Sequence, residues 1–428
     1  MRRALAIVGV IVAMLVVAAL AFLFTPPPRP RAVTAPPATP ELITHGAYVA
    51  IAADCVACHT AVGGKPFAGG RAFKLPFGTI YSPNITPDRE TGIGGWTDGE
   101  FLRALHQGVG ADGRELYPAF PYTSYVRMTD GDALALKAYL FSLPPVRSQT
   151  PPNELAFPFN VRPLMRAWKL LFMPRSGFQA DPAKPADWNR GAYLVTALGH
   201  CGECHTPRNL LYGLKLRQAL SGETIQGWTA WNITSDPTHG IGAWSPQEIT
   251  GYLGQGYAIG RGVASGPMKE AVEYSLSRLT PGDLSAIAVY LQSTNAIARG
   301  PVIEANPHAL AASTLTDPPR SEAADGAGRQ LFAGACASCH AWNGAGAQTP
   351  VAALRGLRSV SDPRGRNAVQ TILHGASVDT AQGHAFMPAF AADYSDAEIA
   401  AVANYVIGHF GGKTGQVTPK DVARARAQ

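Results

Sequence analysis

The chain has 428 residues, enough for two or three domains that each bury a core. Its 45 Gly and 35 Pro point to loop-rich units joined by stiff connectors, and away from long bundles or one large sheet. The formal charge of +6 invites a nucleic-acid partner, but no basic run or aromatic-interleaved basic stripe accompanies it, so that class is set aside.

Residues 1–24 open with Arg2 and Arg3 and continue uncharged from Ala4 to Phe24. At about 1.5 Å per residue this run spans about 31 Å of helix, enough for the ~30 Å hydrocarbon layer. A membrane anchor is expected, with a cleaved secretory signal as the alternative. Either way the two arginines keep the N-terminus cytoplasmic, so the rest of the chain is exported. Residues 25–40 carry seven prolines and read as a semi-rigid polyproline stalk that lifts the first domain off the membrane.

Cys-x-x-Cys-His occurs at 55–59, 201–205 and 336–340 and uses every cysteine in the chain. Two thiols at this spacing each form a thioether to a haem vinyl group, and the adjacent His reaches the iron. The alternatives are zinc and redox dithiols. No unpaired Cys-x-x-Cys remains to complete a zinc tetrad, so three covalent haems are expected, on Cys55 and Cys58, Cys201 and Cys204, and Cys336 and Cys339. Two propionates per haem would offset the formal positive charge.

The surroundings repeat as well. Gly46-Ala47-Tyr48 and Gly191-Ala192-Tyr193 precede the first two motifs, with Gly328 similarly placed in the third. Asn84-Ile85-Thr86, Gly92-Ile93-Gly94 and Trp96 recur as Asn232-Ile233-Thr234, Gly240-Ile241-Gly242 and Trp244; the third unit lacks them. Although Asn-Ile-Thr resembles a glycosylation sequon, a turn in a repeated loop explains it better. Each unit closes on a predicted helix opened by Thr129-x-x-Asp132, Thr280-x-x-Asp283 or Ser395-x-x-Glu398 and carrying Tyr139, Tyr290 or Tyr405. The upstream glycines would let an opening helix cross the closing helix closely, with the tyrosine at the crossing.

Of seven methionines, Met128, Met268 and Met387 lie between a motif and the closing helix of the same unit. One thioether per haem in that position suits His/Met ligation, so the expected pairs are His59 with Met128, His205 with Met268, and His340 with Met387. Met268 follows Gly266-Pro267 and Met387 precedes Pro388, in segments read as irregular; Met128 sits beside a helix cap. Met165 and Met173 are expected to be packing residues. His45, His106, His200, His239, His308, His374, His384 and His409 share no metal-ligand spacing and are read as local hydrogen-bonders. Leu164 to Met173 is an apolar stretch with Arg166 and Lys169, read as a helix that lies in the membrane interface, docks on a partner, or is buried in the protein. No catalytic triad, phosphate loop or carboxylate pair stands out, so the chain is expected to be no enzyme on its own.

The segments SPNITPDRETGIGGWTDGEF (82–101), LYPAFPYTSY (116–125), GAYLVTALGHCGECHTPRNLL (191–211) and NITSDPTHGIGAWS (232–245) carry a more specific signal. Across residues 41–411 the chain resembles the three-haem cytochrome c subunits of bacterial membrane-bound alcohol, aldehyde and gluconate dehydrogenases. The resemblance implies a subunit that takes electrons from a dehydrogenase catalytic subunit and passes them to ubiquinone or a terminal oxidase, on the periplasmic side of the inner membrane. It departs in one place: family members have Tyr-Pro-Ala-Met-Pro-Tyr where Phe120 stands at 117–122 here, which bears on the first haem alone.

The expected architecture is mainly α: three tandem class I cytochrome c domains, each around one covalent haem, behind an N-terminal transmembrane helix. The domains are placed at 41–143, 190–292 and 328–411, with spacers at 144–189 and 293–327 and a C-terminal tail at 412–428. The competing functions are a peroxidase-like haem enzyme with one five-coordinate haem, the first, and a cytochrome c subunit of a terminal oxidase.

Overall fold

The computed structural model describes residues 2–302, 326–380 and 383–427. His308 and residues 303–325 of the second expected spacer lie outside the described residues. An apolar helix, Arg2–Phe24, leads the chain; it is exposed along its length and has a mean hydropathy of 3.1.

The proline-rich segment that follows is no free stalk. It is bound along the first domain. Prolines leave carbonyls without a backbone donor of their own, and the domain supplies donors: Arg103 Nη1 donates to the Pro28 carbonyl at 3.1 Å. Ala35 N–H donates to Asp98, and Arg31 pairs with Asp130. Gly99 allows the approach, because a Cβ there would overlap the Arg31 carbonyl oxygen.

The three repeats share one frame. An opening helix (Pro40–Ala52, Ala186–Tyr193, Gly326–Leu331) leads into each motif. In the second and third repeats a π-helical stretch intervenes, Leu194–Leu198 and Phe332–Cys336, a wide turn common beside functional sites. A middle helix (Asp98–Gln107, Pro246–Gln255, Arg366–His374) and a closing helix (Asp130–Ser142, Pro281–Gln292, Asp396–Gly411) complete each unit. Among the described residues the strands are short and antiparallel: a three-stranded sheet of Ala72–Leu75, Gly78–Tyr81 and Glu154–Leu155, and two-stranded pairs such as Glu223–Ile225 with Trp228–Ala230.

Opening and closing helices cross where the glycines predict. A Cβ on Gly46, Gly191 or Gly328 would overlap the carbonyl oxygen of Ala135, Ala286 or Ala401, and would lie 2.9 Å from the Cβ of Tyr139, Tyr290 or Tyr405 respectively. Thr129, Thr280 and Ser395 all cap their helices. Ser395 forms the reciprocal box, with Glu398. Asp132 and Asp283, the acids at the same position in the other two repeats, reach the opening helix, binding His45 (2.7 Å) and Arg190 (2.6 Å).

The expected C-terminal tail is a docked helix, Pro419–Arg426. Val422 is fully buried among Val369, Leu373, Ile399 and Ile407, and Arg426 pairs with Asp396 at 2.6 Å. The chain divides into two compact units, Met1–Gln179 with Thr196–His200, and Ala180–Val195 with Cys201–Gln428. The second and third repeats therefore share one unit.

Candidate metal centres

Each Cys-x-x-Cys-His motif lies on or beside a single helical turn: Cys55–Cys58, Gly202–His205 and Ala337–His340. One turn brings residues three apart onto one face, so both sulfurs of a motif point the same way. None of the six cysteines is in a disulfide. Burial pushes Cys201 up to about 12, Cys336 up to about 11, and Cys55 upward as well. Reactive redox dithiols need the opposite shift. Among the described residues no three His, Cys, Asp or Glu converge into a metal cluster, which counts against zinc.

The histidines of the motifs are oriented alike. Nδ1 of His59 donates to the Pro83 carbonyl at 2.8 Å, Nδ1 of His205 to the Trp231 carbonyl at 2.6 Å, and Nδ1 of His340 to the Ala352 carbonyl at 2.6 Å. A carbonyl only accepts, so Nδ1 carries the proton and Nε2 keeps its lone pair for iron. Burial holds each imidazole below its usual range, and therefore neutral at pH 7.

The repeated Asn-Ile-Thr builds this geometry. Pro83 and Trp231 immediately precede Asn84 and Asn232. Each asparagine side chain accepts from the N–H and hydroxyl of the threonine two residues on. Their amides donate outward, Asn84 to the Val146 carbonyl (2.7 Å) and Asn232 to those of Ile297 (2.7 Å) and Arg299 (3.1 Å). The chain leaving each closing helix is thus tied back to the loop that orients the histidine. Gly69 and Gly222, both at positive φ, let this loop lie against the motif and donate to the carbonyls of His59 and His205. In the third repeat a 3-10 turn, Pro350–Ala352, presents the carbonyl instead. Sequence reasoning missed these carbonyl acceptors; the duplicated Asn-Ile-Thr was their signal.

The methionines differ in setting. Met268 lies in the first turn of the helix Pro267–Tyr274, not in an irregular loop, and Met387 ends the strand Gly383–Met387. Both are partly exposed, as are His59, His205 and His340. Met128 is only 3% exposed, and its N–H donates to the Tyr125 carbonyl. It directly precedes the cap Thr129, the place that Leu279 and Tyr394 hold before Thr280 and Ser395.

Other histidines have protein partners: His106 faces Asp130, His239 pairs with Asp236, His384 with Asp379, and His409 donates to the Trp342 carbonyl. The stretch at 164–173 forms a helix, Leu164–Phe172, in which only Trp168 is buried. Lys169 and Arg166 pair with Glu115, while Leu170 and Leu171 are 65% and 67% exposed.

A family model described as Cytochrome c matches residues 43–144 and 326–408. The chain is 40% identical over 404 residues to the fructose dehydrogenase cytochrome subunit of Gluconobacter japonicus, covering 90% of this chain and 82% of that protein. It is 36% identical over 405 residues to the gluconate 2-dehydrogenase cytochrome c subunit of Pantoea cypripedii, covering 91% and 90%. Against a nicotinate dehydrogenase subunit of Pseudomonas putida it is 41% identical over 85% of its own length, but spans 30% of that longer protein. A mainly helical chain whose motifs each present a histidine with a free Nε2 thus has, in these relatives, counterparts over nearly its whole length. The chain belongs to the cytochrome c subunits of membrane-bound dehydrogenases, and its work is electron transfer.

Proposed function

We propose that this chain is a three-haem relay, built as three tandem class I cytochrome c domains. It takes electrons from the catalytic subunit of a dehydrogenase of small organic substrates and passes them to ubiquinone or a terminal oxidase. The observation that carries the reading is the threefold Nδ1–carbonyl bond, which leaves Nε2 of His59, His205 and His340 free to bind iron. A bound c haem supplies a one-electron iron couple. The chain's own residues do the rest: Cys55, Cys58, Cys201, Cys204, Cys336 and Cys339 attach, and the three histidines ligate. Met268 and Met387 close the second and third sites with sulfur, which favours ferrous iron.

At the first site a second reading is favoured by a specific observation. Met128 shares its place with two residues that are not candidate ligands, and it is fully packed in protein while the other candidates are partly exposed. On this reading Met128 belongs to the core and the first iron keeps an exchangeable position, as Phe120 in place of the family's methionine also suggests.

The N-terminal helix is proposed as a retained inner-membrane anchor with the repeats on the periplasmic side. Arg166 supports this. It donates to the Phe22 carbonyl at 2.7 Å and to that of Thr25, and lies 5.7 Å from the Phe22 ring, tying the helix Leu164–Phe172 to the end of the anchor. That position sets exposed Leu170 and Leu171 at the membrane interface. The pyridine haemochrome assay on the purified, denatured chain tests the reading: three covalent haems per chain are expected, and two or fewer would refute it. Copurification with oxidase chains and without dehydrogenase activity would instead favour a terminal-oxidase subunit.

A further inference from the structure

Arg358 opens the short helix Arg358–Ser361 of the third repeat, yet its side chain is buried among groups of the second. It is 5% exposed. Nη1 donates to the Asn232 carbonyl at 3.0 Å and Nη2 to that of Gly240, and the guanidinium lies 5.4 Å from the Trp244 ring. Nε has no partner, and no carboxylate among the described residues pairs with this side chain. Glu248, the acid in this group, is engaged by Arg261, itself a second cation against Trp244.

This arrangement is one negative charge short. A guanidinium withdrawn from water without a counter-ion is strongly unfavourable. Burial lowers Arg358 to about 10, so it remains a cation at neutral pH, while buried Tyr252 beside it is pushed up to about 12 and remains neutral. The location says what the missing anion is. Asn232 directly follows Trp231, whose carbonyl holds His205. An anion that must lie beside the proximal histidine of a covalent haem, in a site closed by protein, matches a carboxylate of that haem.

We infer that Arg358, supplied by the third repeat, is the counter-ion and hydrogen-bond donor for a propionate of the haem held by Cys201, Cys204 and His205 in the second repeat. This rests on the haem reading of that motif. The segment 352–358 then serves two haems at once. Its Ala352 carbonyl orients His340, while its other end docks on the second repeat, with Arg358 N–H donating to the Arg261 carbonyl at 3.3 Å. Gly356, at positive φ, fits there because a Cβ would overlap the Gly260 carbonyl. A cation beside a haem favours the ferrous state, so the third repeat raises the potential of the second haem.

The test is a potentiometric titration of the full membrane-bound protein carrying R358Q or R358K, with haem content counted first. With three haems present, R358Q is expected to lower the midpoint of one haem and leave the other two unchanged; R358K, which keeps the charge, should recover most of the shift. Three unchanged midpoints in a fully loaded R358Q protein would overturn the inference without touching the haem reading. A wild-type chain lacking the second haem would overturn both. If R358Q does not fold, the haem-loaded wild-type structure decides: a propionate oxygen at hydrogen-bonding distance from Arg358 Nε is expected. Water, a free anion or a protein carboxylate in that place would overturn it.

Discussion

Met128 is where a residue's neighbours speak most clearly about its role. On the second reading of the first site, buried Met128 contributes packing, and truncating a buried methionine to alanine costs about 2–5 kcal/mol. Met128→Ala is therefore expected to lower stability by that order in denaturant unfolding. CO should bind one ferrous haem in both the wild type and the variant. CO binding that appears only in the variant would establish Met128 as a ligand. Asn232 makes a complementary case, because its side chain joins Thr234 to the carbonyls of Ile297 and Arg299 while almost fully buried. Asn232→Ala leaves those partners unmet, at about 1–3 kcal/mol for a buried unsatisfied group. It should also loosen the Trp231 carbonyl on His205, broadening the signal of the second haem in low-temperature EPR. An unaltered spectrum and melting curve would contradict the orienting role.

Between elements, the crossing of opening and closing helices depends on having no side chain at one point. Gly191→Ala would drive a methyl into the Ala286 carbonyl, and overpacking of this kind costs about 1–3 kcal/mol. A lowered melting temperature is expected; an unchanged one would mean that the helices can separate without cost. The crossing was legible in the sequence because glycine and tyrosine recur together three times. The docked C-terminal helix was not. Its text, PKDVARAR, offers only Val422 and Ala425 to the core, and two apolar residues set no period. Val422→Ala removes two buried methyl groups and is expected to cost roughly 2 kcal/mol in urea unfolding. No change would mean that the helix docks through Arg426 alone.

For the whole molecule, the motifs and their repetition made the family and the three helical units readable, because covalent attachment demands fixed residues at fixed spacing. What escaped the sequence depends on contacts between distant segments. The proline-rich segment reads as a semi-rigid stalk because polyproline has no partner in its own text; its partners Arg103, Asp98 and Asp130 lie far along the chain. The carbonyls that orient the histidines escaped for a related reason, since backbone acceptors leave no residue signature. Stability should also depend on acid. Burial alone would raise Glu248, but Arg261 and the cap at Ser245 bring it below its ordinary value of 4.5. Its contribution is thus complete above that value and is lost as pH falls through the lower, folded one. Glu248→Gln should therefore flatten the acid limb of the stability curve, measured by thermal melts between about pH 3 and 7; an unchanged limb would remove Glu248 from the account.

On the proposed reading, one chain stores and relays one electron at each of three covalent haems. Coulometric reduction of the purified protein, followed through the haem absorption bands, tests it most directly. Three electrons per chain are expected, with every band change reversed on reoxidation. An uptake of two electrons or fewer by a chain with all six cysteines intact would contradict it.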